Sequence, residues 1–380
     1  MKMEKSEQFT QVLTKAYKKA IKGGKISFPK LIIQNVDVLI SHIDKNKSVI
    51  SALVTSLAMK SINPEQDVRL HRTDFESGYS ARSLDTAVTA PFFKLHFPKY
   101  ANKESSFLTL ATREKIKWTK TDGQSLKIRN KEVKKSFLEL FDATENKKTH
   151  PKDCLVYIFF KLHQLSLHQR HIFDDTIETA DFSDIINIYS VIKMLDHHFN
   201  SKLSSRLPVI AIYSIYQELF NSFRRYENKK LQGLNVHTSS DKHGFGDVEI
   251  WNADNSPFEI IEIKHNISID RNMIFDIIKK SENSSIERYY LLTTCKDNFL
   301  SKGEEDFINK FILKTKKDTG LEIIANGIIN SIKYYLRFVT DYKHFIKTYT
   351  ENLISDSKNS TEIQIFHIEK WLEIIKSIKI

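Results

Sequence analysis

The sequence predicts an α/β protein, with a mixed central sheet flanked by helices and large helical additions at both ends. Three observations predict it. Glycine and proline are scarce, 10 and 7 among 380 residues, which favours long helices over a loop-rich all-β fold. Both ends of the chain carry apolar residues at helical spacing. Between them, residues 206–300 follow the order helix, hairpin, helix, strand, which is an α/β order. With 41% hydrophobic and 28% charged residues the chain can bury a sizeable core, and long disorder is not expected.

The elements follow in order. Residues 7–60 read as helical, with Phe9, Val12, Leu13 and Tyr17 on one face, a break at Gly23–Gly24, and a second stretch from Leu31 to Met59 that Asn63–Pro64 stops. Residues 63–130 lack a clean period and hold Arg69, His71, Arg72 and Arg82; a long irregular segment in a helical protein is uncommon and often functional. Residues 131–200 return to helical pattern, with a polar break from Glu145 to Lys152. Then VIAIYSIYQELFNSFRRYEN reads as a helix, HTSSDKHGFG as a loop, Asp247–Trp251 as a strand, Asp254–Pro257 as a turn and Phe258–Lys264 as a second strand. RNMIFDIIKKS reads as a helix and RYYLLTT as a third strand. From about Glu304 the chain reads as helical, its longest helix being LEIIANGIINSIKYYLRFVTDYKHFIKTYTENL. Four regions result, 1–62, 63–200, 201–302 and 303–380, expected to pack as one unit.

Net charge is +11 and the isoelectric point about 9.2, a balance that attracts polyanions. A membrane role is not expected, since no apolar run of about 18 residues occurs and MKMEKSEQFTQ lacks the apolar core of a signal peptide. Cys154 and Cys295 are the two cysteines and form no CxxC pair. That sets aside a disulfide framework or cysteine-rich zinc site and suggests a cytoplasmic location.

The chemistry concentrates in GFGDVEIWNADNSPFEIIEIKHN. Side chains alternate along a strand, so Glu262 and Lys264 share a face, and the hairpin can bring Asp247 beside them. Two carboxylates and an ammonium suit phosphodiester hydrolysis. A divalent cation held by Asp247 and Glu262, with the Ile263 carbonyl as a further ligand, neutralises charge on the phosphorus oxygens and acidifies a water. Oxygen ligands select Mg²⁺, with Mn²⁺ as a substitute. Lys264 can orient the water or stabilise developing charge. Glu-x-Lys also occurs at Glu132–Lys134, Glu145–Lys147 and Glu227–Lys229, but there in polar or helical surroundings that read as solvated faces.

Gly246-Asp247 followed by Glu262-Ile263-Lys264 resembles the PD-(D/E)xK nuclease signature, with Gly246 where the family usually has proline. That resemblance implies a restriction-endonuclease-like core and a further acidic residue on the preceding helix, Glu218, with Glu249 as its rival. Residues Asn63 to Arg69, His71, Gly78 to Thr86 and Pro91-Phe92 resemble the N-terminal signature of the SacI family of type II restriction endonucleases. This implies double-stranded DNA as substrate, a homodimer matching a palindromic site, and a cognate DNA methyltransferase as functional partner. Arg69, Arg72, Arg82 and Arg113 suit guanine edges or phosphates, with His71 among the contacts; Lys94, Lys103, Lys115, Lys117 and Lys120 suit phosphates. Against this, Asp67, Arg69 and Asp85 can form a structural ion-pair network. His163, His168, His197 and His198 lack a zinc-site context, and Phe75, Tyr79 and Trp118 more often pack than stack on bases. The competing functions are a repair or structure-specific nuclease on the same core and a catalytically inactive DNA-binding protein.

Overall fold

The computed structural model describes residues 2–22, 27–181, 186–220, 222–234, 244–359 and 362–378. The expected break at Gly23–Gly24 and most of the loop HTSSDKHGFG lie outside them. The chain divides into two compact units, Met1–Arg170 and His171–Ile380. The division falls inside a helix, away from the region boundaries suggested by composition, because residues on both sides of Asn63 contribute to one core.

The first unit holds α1 (Lys2–Ile21), α2 (Lys30–Ser41), α3 (Ile43–Ile62), the short α4 (Ala81–Leu84), α5 (Ala90–His96), α6 (Lys131–Glu145) and most of α7 (Pro151–Ala180). Every residue from Ser48 to Met59 of α3 is buried, so this helix is the centre around which the unit packs. Helix α3 ends at Ile62, and the Asn63 amide closes its last turn on the Met59 carbonyl. The side chain of Asn130 accepts from the amides of Glu132 and Val133 and so starts α6. The irregular segment is held by a buried carboxylate. Asp85 accepts from Ser51 Oγ at 3.0 Å, Ser105 Oγ at 2.8 Å and the Ser106 amide at 2.8 Å, joining that segment to α3.

The second unit adds α8 (Ile188–Phe199), α9 (Leu207–Phe220), β1 (Lys229–Leu231), β2 (Val248–Asn252), β3 (Pro257–Lys264), α10 (Arg271–Ser281), β4 (Arg288–Thr293), α11 (Lys302–Thr319), β5 (Glu322–Gly327), α12 (Ile328–Leu336), α13 (Tyr342–Asn359) and α14 (Ile365–Ile378). Its described strands form one sheet in the order β1-β2-β3-β4-β5. The first three strands are antiparallel neighbours; β3, β4 and β5 run parallel, and α10 and α11 make the crossovers that parallel pairing requires. Alternation along β3 splits the core. Ile260 packs with Tyr289, Leu291, Ile274 and Ile308, on the side of α10 and α11. Ile261 and Ile263 pack with Leu292, Ile215, Ile332 and Phe345, on the side of α9, α12 and α13. The protein is therefore mixed α/β, with helices on both faces of one mixed sheet.

The C-terminal segment read as one long helix is instead β5, α12 and α13. Its first residues, Glu322 to Gly327, pair in parallel with β4, and an apolar run this short is compatible with either structure. Among the described residues, no helix is long and apolar enough to cross a membrane.

Candidate active site

Strand register brings the site together. Val248, the first residue of β2, pairs with Ile261, so Asp247 just before it lies beside the end of β3 that carries Glu262 and Lys264. The Asp247 amide continues the ladder, donating to the Ile261 carbonyl at 2.9 Å. Its carboxylate then takes over from the backbone, with Oδ2 accepting from the Ile263 amide at 2.8 Å. Lys264 Nζ donates to Glu262 Oε1 at 2.6 Å. The structure thus joins Asp247, Glu262 and Lys264 at the end of one hairpin, through the residue between the last two.

The approach to Asp247 is built as tightly. A Cβ on Gly246 would lie 2.5 Å from Ile260 Cγ2 and 2.9 Å from the Ile261 carbonyl oxygen, so only glycine fits. Buried Glu249 accepts from the amides of Phe245 at 2.6 Å and Gly246 at 3.1 Å, and from Trp251 Nε1 at 2.8 Å. Tyr289 on β4 donates its hydroxyl to the Phe245 carbonyl at 2.6 Å. Sequence reasoning offered Glu249 only as a rival for the acidic position. Its spacing of two from Asp247, which puts both on one face, was the signal that it supports the site.

Burial pushes the Asp247 carboxyl up to about 6, and the Glu262 charge adds to the effect; the Ile263 amide, Lys264 and Arg206 oppose it. Arg206 is itself buried and pairs with Asp356 at 3.0 Å. Two carboxylates close enough to interact in this way repel unless a proton or cation lies between them. No hydrogen bond among the described residues reaches Asp247 Oδ1 or Glu262 Oε2. The Ile263 carbonyl leaves the strand on the same edge as its amide, towards Asp247. Among the described residues no group of three or more His, Cys, Asp or Glu side chains gathers to hold a metal. The donor set is two carboxylates and a carbonyl, which fits Mg²⁺ because that ion keeps several waters and needs few protein ligands.

Glu218 on α9 is engaged elsewhere, accepting from Thr348 Oγ1 at 2.6 Å and lying 2.8 Å from His344 Nδ1 on α13. The hydrogen bond it accepts from His344, and then its charge, raise the His344 imidazole above the usual histidine value.

The first unit separates the expected DNA contacts. Arg69 forks onto Asp67 at 2.7 and 3.0 Å, the structural alternative for this pair. His71 is 2% exposed and stacks on Trp118 with centroids 3.9 Å apart. Arg72 is tied to Asp74 at 2.9 Å and to the Arg113 carbonyl at 2.8 Å. Arg82, Lys94, Arg113 and Lys117 are exposed. Tyr79 and Trp118 are buried packing residues, and His198 is a core histidine hydrogen-bonded to Tyr349 and the His367 carbonyl. Charge divides unevenly as well. Residues 1–170 hold 31 Lys and Arg against 17 Asp and Glu, whereas residues 171–380 hold 27 against 30.

No protein-family model matches this chain, and no curated protein matches it.

Proposed function

We propose that the protein is a Mg²⁺-dependent endonuclease of double-stranded DNA, acting at Asp247, Glu262 and Lys264. The observation that carries this reading is the neighbouring carboxylate pair, with Asp247 held by the Ile263 amide and Glu262 by the Lys264 ammonium. The order α9, β1, β2, β3, α10, β4 supports it by analogy, since it suits the restriction-endonuclease-like core implied by the sequence resemblance. A bound Mg²⁺ would neutralise phosphate charge and acidify a water. Asp247, Glu262 and the Ile263 carbonyl are the residues to hold it. Lys264, anchored on Glu262, is placed to orient the attacking water and to meet charge on the phosphate. The positive excess of residues 1–170 supports a polyanionic substrate. The type II restriction assignment, with its homodimer, methyltransferase partner and cytoplasmic setting, rests on the SacI-like segment alone.

The test is incubation of long plasmid or phage DNA with Mg²⁺ or EDTA, using wild type, Glu262→Ala and Asp247→Ala. Discrete fragments that require Mg²⁺ and both carboxylates are expected, and their ends give the recognition site. A smear would indicate a less specific nuclease. Cleavage by either variant at wild-type rate would refute the site.

A further inference from the structure

Away from the carboxylates, the first unit contains a cavity of about 410 Å³ lined by Arg72, Arg82, Arg113, His71, Phe107 and Leu108. That lies within the roughly 300–1,000 Å³ typical of small-molecule sites and exceeds what a lone phosphate needs. Three separate stretches of the chain deliver the arginines. Arg72 is fixed by a turn that only Gly78 permits, since a Cβ there would lie 1.9 Å from the Arg72 carbonyl oxygen. Asp74, the acidic residue of the lining, is shared between Arg72 at 2.9 Å and Lys115 at 3.5 Å. The guanidinium groups of Arg82 and Arg113 make no ion pair among the described residues.

One wall of the cavity is aromatic. His71 stacks on Trp118 at 3.9 Å, and Phe107 stacks on the same indole at 5.7 Å. Burial lowers the His71 imidazole to about 4, so the ring is neutral and adds no charge to the lining. The backbone of Arg69 and Glu114 acts on the ring, yet neither of its nitrogens makes a hydrogen bond. Trp118 Nε1 and Ser106 Oγ, in or behind the same wall, are also buried without partners. Buried polar atoms without partners are uncommon in a folded protein and call for an explanation. Their concentration beside an arginine-lined cavity favours a ligand that carries both negative charge and hydrogen-bonding edges.

We infer that this cavity holds one nucleotide, its phosphate on Arg82, Arg113 and Arg72 and its base directed towards His71 and Phe107. Planar guanidinium forks match phosphate oxygens two at a time, and the edge of a base offers hydrogen-bonding groups to an unpartnered imidazole such as His71. The nucleotide comes either from a DNA strand or from free mononucleotide, because the chemistry is shared. The inference extends the DNA reading above but does not depend on the carboxylate site.

The experiment is done in EDTA, so that no strand is cut. Wild type, Arg82→Gln/Arg113→Gln and the charge-matched Lys30→Gln/Lys45→Gln are titrated with a short fluorescent duplex, a deoxynucleoside monophosphate and inorganic phosphate. Circular dichroism checks folding; all four substituted side chains are exposed. For a DNA-strand source, the arginine variant loses about tenfold or more in duplex affinity, and its salt slope flattens by about two contacts. The lysine variant loses clearly less. For a free-nucleotide source, wild type binds the monophosphate saturably and more tightly than inorganic phosphate, and the arginine variant does not. The inference is overturned if the arginine variant equals wild type towards duplex and monophosphate, or loses no more than the lysine variant.

Discussion

Asp247 is the residue on which the site's electrostatics turn. Its carboxyl titrates near 3.8 when solvated and near 6 in the fold, so the folded state holds the proton more tightly. The resulting cost to stability is absent below about pH 4, grows as pH rises through 6, and is constant above that. Asp247→Asn removes the cost while its amide oxygen can still accept from the Ile263 amide. In EDTA at pH 8 the variant should be more stable than wild type by up to about 3 kcal/mol, with the gap closing below about pH 4. Mg²⁺ should raise the melting temperature of wild type and leave the variant nearly unchanged, because only wild type relieves carboxylate repulsion by binding the ion. Thermal melts across pH decide it. A variant less stable than wild type at pH 8 would mean that the pair is already compensated without metal.

At the scale of elements, the two further acidic candidates, Glu249 on β2 and Glu218 on α9, hold different partners. Glu249 braces Phe245, Gly246 and Trp251, so Glu249→Ala should cost about 2–4 kcal/mol by leaving buried donors unpaired. It should also lower cleavage by displacing Asp247. Glu218→Ala, which unties α9 from α13, should lower stability modestly and leave cleavage near wild type. Equal loss of cleavage in the two, at temperatures where both are folded, would return Glu218 to the catalytic group. Much of the hairpin was legible beforehand. IIEIK alternates, Asn255 sits at a positive-φ turn position, and the strands start within one residue of expectation. RNMIFDIIKKS matched α10 from Arg271 to Ser281, because Asp270 caps its start. What escaped was decided by partners far along the chain. Strand β1 is only three polar-flanked residues and exists through pairing with β2. Strand β5 needs β4 beside it to differ from a helix. The convergence of Asp247, Glu262 and Lys264 on one hairpin was readable because their spacing is local; the partners of Glu218 were not, because His344 and Thr348 lie more than a hundred residues away.

For the whole molecule, the distribution of charge is the broadest constraint. A net charge of +11 conceals a first unit with 14 more basic than acidic residues and a second with three fewer. Counterion release scales with the number of phosphates neutralised, so affinity for a polyanion should come mainly from residues 1–170. The second unit carries the carboxylate pair, whose charge repels phosphate unless Mg²⁺ is present. Binding and cutting should therefore separate cleanly. Without metal, the protein should still bind duplex DNA, with affinity falling steeply as salt rises. Lysine-modification footprinting with and without duplex, in EDTA, reads the location directly. Protection should be concentrated at lysines of residues 1–170, and should weaken there first as salt is added. If protection is instead concentrated in residues 171–380, local geometry around the sheet outweighs net charge, and the first unit has some role other than holding DNA.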